Sequence, residues 1–170
     1  MDDPTAEYSN RILARLRRCA DALPQARHRL RALPMTLAAR VGGLHVGVVH
    51  GHAEALAGWR FAHDALDAPD ARPWLEEVRA ASGIDVDACT HTCLPAGRNF
   101  RLPSGRLTVI NIGAAGMPNF RATSFGVITR IGVRPSAQAT LCRVARDGVF
   151  IEALPVFFDR RHWLREFVEM

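Results

Sequence analysis

Lysine is missing altogether: every one of the 22 basic residues in this 170-residue chain is arginine. Arginine's planar fork suits phosphate. Yet Arg11, Arg15, Arg17 and Arg18, like Arg27, Arg29 and Arg31, recur at helical spacing, the pattern of solvated helix faces. No aromatic residues interleave with them, so the net charge of +5 argues little for nucleic acid. No apolar run approaches the roughly 20 residues of a membrane helix. The start, Met1-Asp2-Asp3-Pro4, is acidic and lacks an apolar stretch, which is not the pattern of a signal peptide. Cysteine is scarce, and Cys19, Cys89, Cys93 and Cys142 show no disulfide spacing. The expectation is reduced thiols in a cytoplasm, with Cys19, Cys89 and Cys142 packed in the core. Internal repeats, low-complexity segments and long linkers are also missing, so a single domain over 1–170 is expected.

What is present alternates between helix and strand patterns. Ser9 or Asn10 caps a helix to about Leu23, with Ile12, Leu13, Leu16, Cys19, Ala20 and Leu23 as its apolar stripe. Pro24 ends it and opens a second short helix to about Leu33. Two apolar runs, 35–41 and 44–50, are joined by Gly42-Gly43, a hairpin signal. A helical pattern over 54–61, a loop over 67–73 and a helix over 74–82 follow, then a strand over 84–88. Strands are expected over 99–102 and 106–110 around the turn Pro103-Ser104-Gly105, then over 125–133 and 140–146. Asp147-Gly148 marks a hairpin into 149–158, and a helix closes the chain over 161–168. The fold class is therefore α/β, with a mixed, largely antiparallel sheet and flanking helices.

The chemistry concentrates at strand ends. His50 ends one apolar run and is followed at once by Gly51. The run 84–88 leads into Thr90-His91-Thr92-Cys93-Leu94-Pro95. Residues two apart on an extended chain share a side, so His91 and Cys93 can reach one object. Imidazole and thiolate are good ligands for a borderline-soft metal. Cys89 is excluded from that set, because a straight strand puts it roughly 13 Å from Cys93. His52 reads as a ligand, a substrate-facing residue or a loop histidine, with the second or third favoured. After the next strand comes a glycine-rich loop, Asn111 to Phe120. It lacks the lysine and spacing of a P-loop. Gly113 lets backbone approach a site closely, and Asn111 and Asn119 shape the loop.

Val49-His50-Gly51, Thr90-His91-Thr92-Cys93-Leu94-Pro95 and the loop Asn111 to Phe120 together resemble the C-terminal half of a calcineurin-like metallophosphoesterase. So do Leu56-Ala57-Gly58-Trp59 and the stretch from Phe125 to Ile131. The resemblance runs from about Tyr8 to Val168. It implies half of a four-layer α-β-β-α sandwich and hydrolysis of phosphoric mono- or diesters by a metal-activated water. It implies that His50 and His91 bind the second of two divalent metals (Mn, Fe or Zn), and Cys93 stands where the family's last histidine binds the first. His52 stands where a bacterial branch of the family often carries aspartate. The family's N-terminal Asp-x-His, Gly-Asp-x-x-Asp and Gly-Asn-His segments have no counterpart in this sequence. At most one metal is then expected here, with weak or no activity for the chain alone. The implied partners are a phosphoester and either an N-terminal half-domain or a second copy. A catalytically dead assembly module and a one-zinc structural protein are the rival readings.

Overall fold

The computed structural model describes residues 4–113 and 120–169. It forms two compact units, Met1–Pro34 and Met35–Met170. In the first, α1 (Pro4–Asp21) is followed by α2 (Pro24–Arg31), whose first position is the expected proline. Arg27 meets Asp21 at 3.2 Å across the joint. Two helices cannot enclose a core, and Ile12, Leu13, Leu16, Leu23 and Leu30 remain exposed. Cys19 is exposed with them, which corrects its assignment to a core.

Among the described residues, the second unit holds eight strands in two sheets. The larger has the order β1-β2-β3-β5-β4, from β1 (Leu37–Val41), β2 (Leu44–Val48), β3 (Val86–Cys89), β4 (Pro95–Leu102) and β5 (Gly105–Ile112). The smaller has the order β6-β8-β7, from β6 (Phe125–Gly132), β7 (Cys142–Arg146) and β8 (Val149–Phe157). The fold class is the expected one, mixed α/β with most strand pairings antiparallel. The hairpins expected at Gly42-Gly43 and Asp147-Gly148 form: Val41 pairs with Leu44, and Arg146 with Val149. Asp147 and Gly148 both take positive φ, as such a tight turn requires. The centre of the larger sheet is parallel, because β2 pairs with β3 and β3 with β5. The connection from β2 to β3 runs through α3 (Ala71–Ser82), the crossover that parallel pairing demands.

Two apolar layers lie on either side of the larger sheet. Phe61, Leu66, Trp74, Leu75 and Val78 cover one face, against Cys89, Leu107 and Val109. Leu44, Val46, Val86 and Ile110 on the other face meet Val149 and Ile151 of β8. Each such side chain, fully buried, contributes about 1.5–3 kcal/mol. The helix expected over 54–61 is a correction: this segment is a tight loop, and only Ala65–Asp67 makes a short 3₁₀ turn. The physical reason is local. His52 and Ala55 bond each other's backbone, closing the chain on itself before a helical turn can start. Pro95 does not stop the strand pattern but opens β4, an edge strand that tolerates a missing N–H. Cys142 begins β7, an edge strand, and is exposed rather than in the core. α4 (Arg160–Glu169) closes the chain as expected. Among the described residues, no helix is long and apolar enough to cross a membrane.

Candidate metal centre

Three neighbouring parallel strands, β2, β3 and β5, end on the same side of the sheet, the side where ligands collect in open α/β sheets. The β2–β3 ladder continues one step past the strands. Val49 N–H donates to Ala88 O at 3.1 Å, and Thr90 N–H to His50 O at 3.1 Å. This step brings the two loops together. His50 Nε2 lies 3.1 Å from His91 Nδ1, with ring centroids 4.9 Å apart. His50 is exposed and His91 half-buried. The two strand ends thus bring His50 and His91 side by side.

The backbone that carries His91 is not extended. His91 has φ 69° and Cys93 has φ 61°. Thr92 N–H donates to Thr90 O at 2.9 Å, and Leu94 N–H to Thr92 O at 2.8 Å. His91 and Cys93 are thus the centres of two successive γ-turns with positive φ, a rare and strained arrangement. Strain of this kind, of order 1–3 kcal/mol per residue, persists only where the surroundings over-determine it. Here Thr92 is buried between the two turns. Its Oγ1 accepts from Asn111 Nδ2 at 2.7 Å. Thr90 Oγ1 donates to Gly113 O. Asn111 is itself buried at the end of β5, donates to Phe61 O at 2.9 Å and accepts from Gly113 N–H at 2.9 Å. Asn111 and Gly113 therefore hold the histidine loop in place, with Thr90 and Thr92 as its anchors. The sequence signal for those two threonines was their alternation with His91 and Cys93.

Cys93 follows a different course from the one its spacing implied. It is exposed, and its Sγ donates to His91 O at 3.5 Å. The geometric reason is the folded turn: the i, i+2 alignment of an extended strand does not apply where φ is positive. Asn119 lies outside the described residues. Cys89, in contrast, is buried as expected, and burial with Asp87's charge nearby pushes its thiol up to about 12.

His52 belongs to a second cluster. Its ring stands edge-on to Trp74 at 5.3 Å and to Phe61 at 6.3 Å. Its Nδ1 accepts from Glu54 N–H at 3.2 Å. Burial, helped by the Arg60 charge and opposed by Glu54, holds the imidazole below its usual pKa. Gly51 and Gly58 make this packing possible. A Cβ on Gly51 would lie 2.6 Å from Ala55 O, Gly58 N and Leu56 O, and one on Gly58 would lie 1.9 Å from the His52 ring.

The 3.1 Å approach is that of a ring N–H···N hydrogen bond, and it is also compatible with two ligands on one divalent metal. With metal–nitrogen bonds of 2.0–2.1 Å, two imidazole nitrogens on one ion stand roughly 2.9 Å apart at a right angle and 3.4 Å apart at a tetrahedral angle. The observed 3.1 Å falls between these values. A third donor does not join them: among the described residues, no group of three His, Cys, Asp or Glu side chains converges. The pair fits as two ligands of an incomplete shell.

No family model and no curated protein matches this sequence. Among solved structures, the chain is similar to the hypothetical protein PH1004 from Pyrococcus horikoshii OT3. The TM-score is 0.53 at 16% identity, over 84% of this chain and 48% of that one. The two share a fold, and this chain spans about half the length of that protein. Weaker likenesses are found to Vps29 of Entamoeba histolytica in complex with zinc (TM-score 0.35, 15% identity, 73% of this chain and 62% of that one). Vacuolar Protein Sorting 29 of Cryptosporidium parvum is similar at TM-score 0.34 and 18% identity, over 74% of this chain and 58% of that one.

Proposed function

We propose that this chain is a metallophosphoesterase-type protein that supplies the C-terminal half of a metal centre, with His50 and His91 as the two ligands of one divalent ion. The observation that carries the reading is the 3.1 Å approach of His50 Nε2 to His91 Nδ1 at the carboxyl ends of two parallel strands. When bound, a divalent ion in such a centre polarises a phosphoryl group and lowers the pKa of its water. The residues that would hold the ion are fixed by the fold: β2 and β3 set the spacing of the two histidines, and Asn111 and Thr92 set the His91 turn. Among the described residues no carboxylate joins the two histidines, and the chain by itself is expected to be a weak or inactive phosphoric-ester hydrolase.

Calorimetric titration with Zn²⁺ and Mn²⁺ tests this. One ion per chain is expected, with affinity reduced at least tenfold in His50→Ala and His91→Ala and much less in Cys93→Ala. Equal binding by all four proteins would sink the proposal. A chromogenic phosphodiester assay with Mn²⁺ addresses activity, and robust turnover that vanishes in His50→Ala would refute the expected inactivity.

One observation favours a second role, as an assembly module. The larger sheet ends at β1, where Leu37 and the preceding Met35 are exposed, and Val48 of β2 is exposed beside it. An apolar edge strand is a template for pairing with another chain. A half-domain carrying the family's N-terminal ligands, or a second copy, would fit there. Size-exclusion chromatography, alone and with such a half-domain, should show a complex; a monomer that binds neither would exclude this role.

A further inference from the structure

Trp59 is large, apolar and 61% exposed, yet the loop that carries it is tightly held. Gly58 before it lies against the His52 ring. Arg60 after it sits over the Trp74 ring, 4.8 Å from its centroid. Phe61 next in line is fully buried, and Ala62 N–H donates to Trp59 O at 2.8 Å. Gly58, Arg60 and Phe61 are each held by a contact, and the indole projects further than the other large apolar side chain of the loop, Leu56. Its ring contact is with His91, one of the two proposed ligands: the Trp59 and His91 ring centroids are 5.5 Å apart, at 65°. A fixed loop thus presents a broad aromatic surface beside the two imidazoles.

We propose that Trp59 is a substrate-binding residue on which a flat aromatic group of the phosphoester, a nucleobase or an aryl ring, stacks while the phosphate meets the ion at His50 and His91. The proposal rests on the metal reading above. The indole is amphipathic and stiff, so it binds a planar group with little loss of freedom. Stacking of a base on an aromatic side chain is tolerant of base identity. The substrate class is then an aromatic phosphoester rather than a sugar or glycerol phosphate.

The experiment is calorimetric binding to the full chain in saturating Mn²⁺, with adenosine monophosphate, phenyl phosphate and glycerol 3-phosphate as probes. Adenosine monophosphate is expected to bind about tenfold more tightly than glycerol 3-phosphate, the scale of one stacking contact. Phenyl phosphate matching it assigns the site to any aryl ester, and phenyl phosphate matching glycerol 3-phosphate assigns it to nucleotides. Trp59→Ala should erase the preference and leave glycerol 3-phosphate affinity unchanged, and Trp59→Phe should keep most of it. A wild-type chain without preference, a Trp59→Ala chain that retains it, or a chain that binds no ester overturns the proposal. His91→Ala separates this from the metal reading: undiminished glycerol 3-phosphate binding there defeats the metal reading, whatever Trp59 does.

Discussion

Asn111 donates from Nδ2 to Thr92 Oγ1 at 2.7 Å, and so the end of β5 pins the strained turn that points His91 at His50. Asn111→Ala would strand Phe61 O, the Thr92 hydroxyl and Gly113 N–H in a buried place. Each stranded buried group costs about 1–3 kcal/mol, so unfolding free energy should drop by about 3 kcal/mol. Metal affinity should fall roughly tenfold, as for other residues that orient ligands. Urea unfolding and metal titration of the same variant check the two effects. Lost stability with intact metal affinity would confine Asn111 to the fold.

The two loop glycines should differ in their sensitivity. A Cβ at Gly51 meets three backbone atoms, which cannot step aside, whereas one at Gly58 meets a side chain. Gly51→Ala should cost about 3 kcal/mol or more, the overpacking range. Gly58→Ala should cost less, and His52→Ala in the same chain should recover part of the loss. Thermal unfolding of the two single variants and the double variant decides this, and a double variant weaker than the sum of both losses would contradict it.

Asp87 offers a pH test. It is 3% exposed on β3, its Oδ2 has no hydrogen-bond partner among the described residues, and burial raises its pKa to about 7 from 3.8. Gly47 on β2 makes room for it, since a Cβ there would lie 2.7 Å from Oδ1. Well below pH 3.8 the group is protonated in both the folded and the unfolded chain. As pH rises towards 7, the unfolded chain releases this proton and the folded chain keeps it, so stability falls. Above 7 both are ionised and the loss levels off. Between pH 5 and pH 8 the wild type should lose about 3 kcal/mol relative to Asp87→Asn. Urea titrations at both pH values measure it, and parallel curves for the two proteins would rule it out.

Asp85 ties three elements together. Its carboxylate meets Arg79 of α3 at 3.0 Å and Arg146 of β7 at 2.8 Å, and it accepts from His45 N–H at 3.0 Å. Burial works against its ionisation, but the His45 and arginine bonds hold its pKa below the usual value. Asp85→Ala would leave Arg79 and Arg146, both largely buried, short of their counter-charge. A loss of about 3 kcal/mol is expected. Double-mutant cycles with Arg146→Ala should show a large coupling; additive losses would mean that the pair acts independently.

Much of the fold was legible locally. Gly42-Gly43 and Asp147-Gly148 marked two of the tight hairpins, and Pro103-Ser104-Gly105 marked a third, because turn chemistry is written in the turn residues themselves. His50 and His91 were legible as strand-end histidines, since strand periodicity and a following turn are short-range signals. The sequence did not show that 54–61 is a loop. Its spacing suits a helix, and the close approach of Gly51 and Gly58 exists only once the chain has folded back. It did not show the turns at His91 and Cys93 either. Positive φ there is held by Asn111 and Gly113, about 20 residues away in sequence. For the same reason His91 meets His50, while the Cys93 sulfur meets His91's own carbonyl. Residue type and spacing determine which groups are available and which element carries each. Which two nitrogens come within 3.1 Å is decided by the parallel pairing of β2 with β3, a long-range register no local pattern encodes.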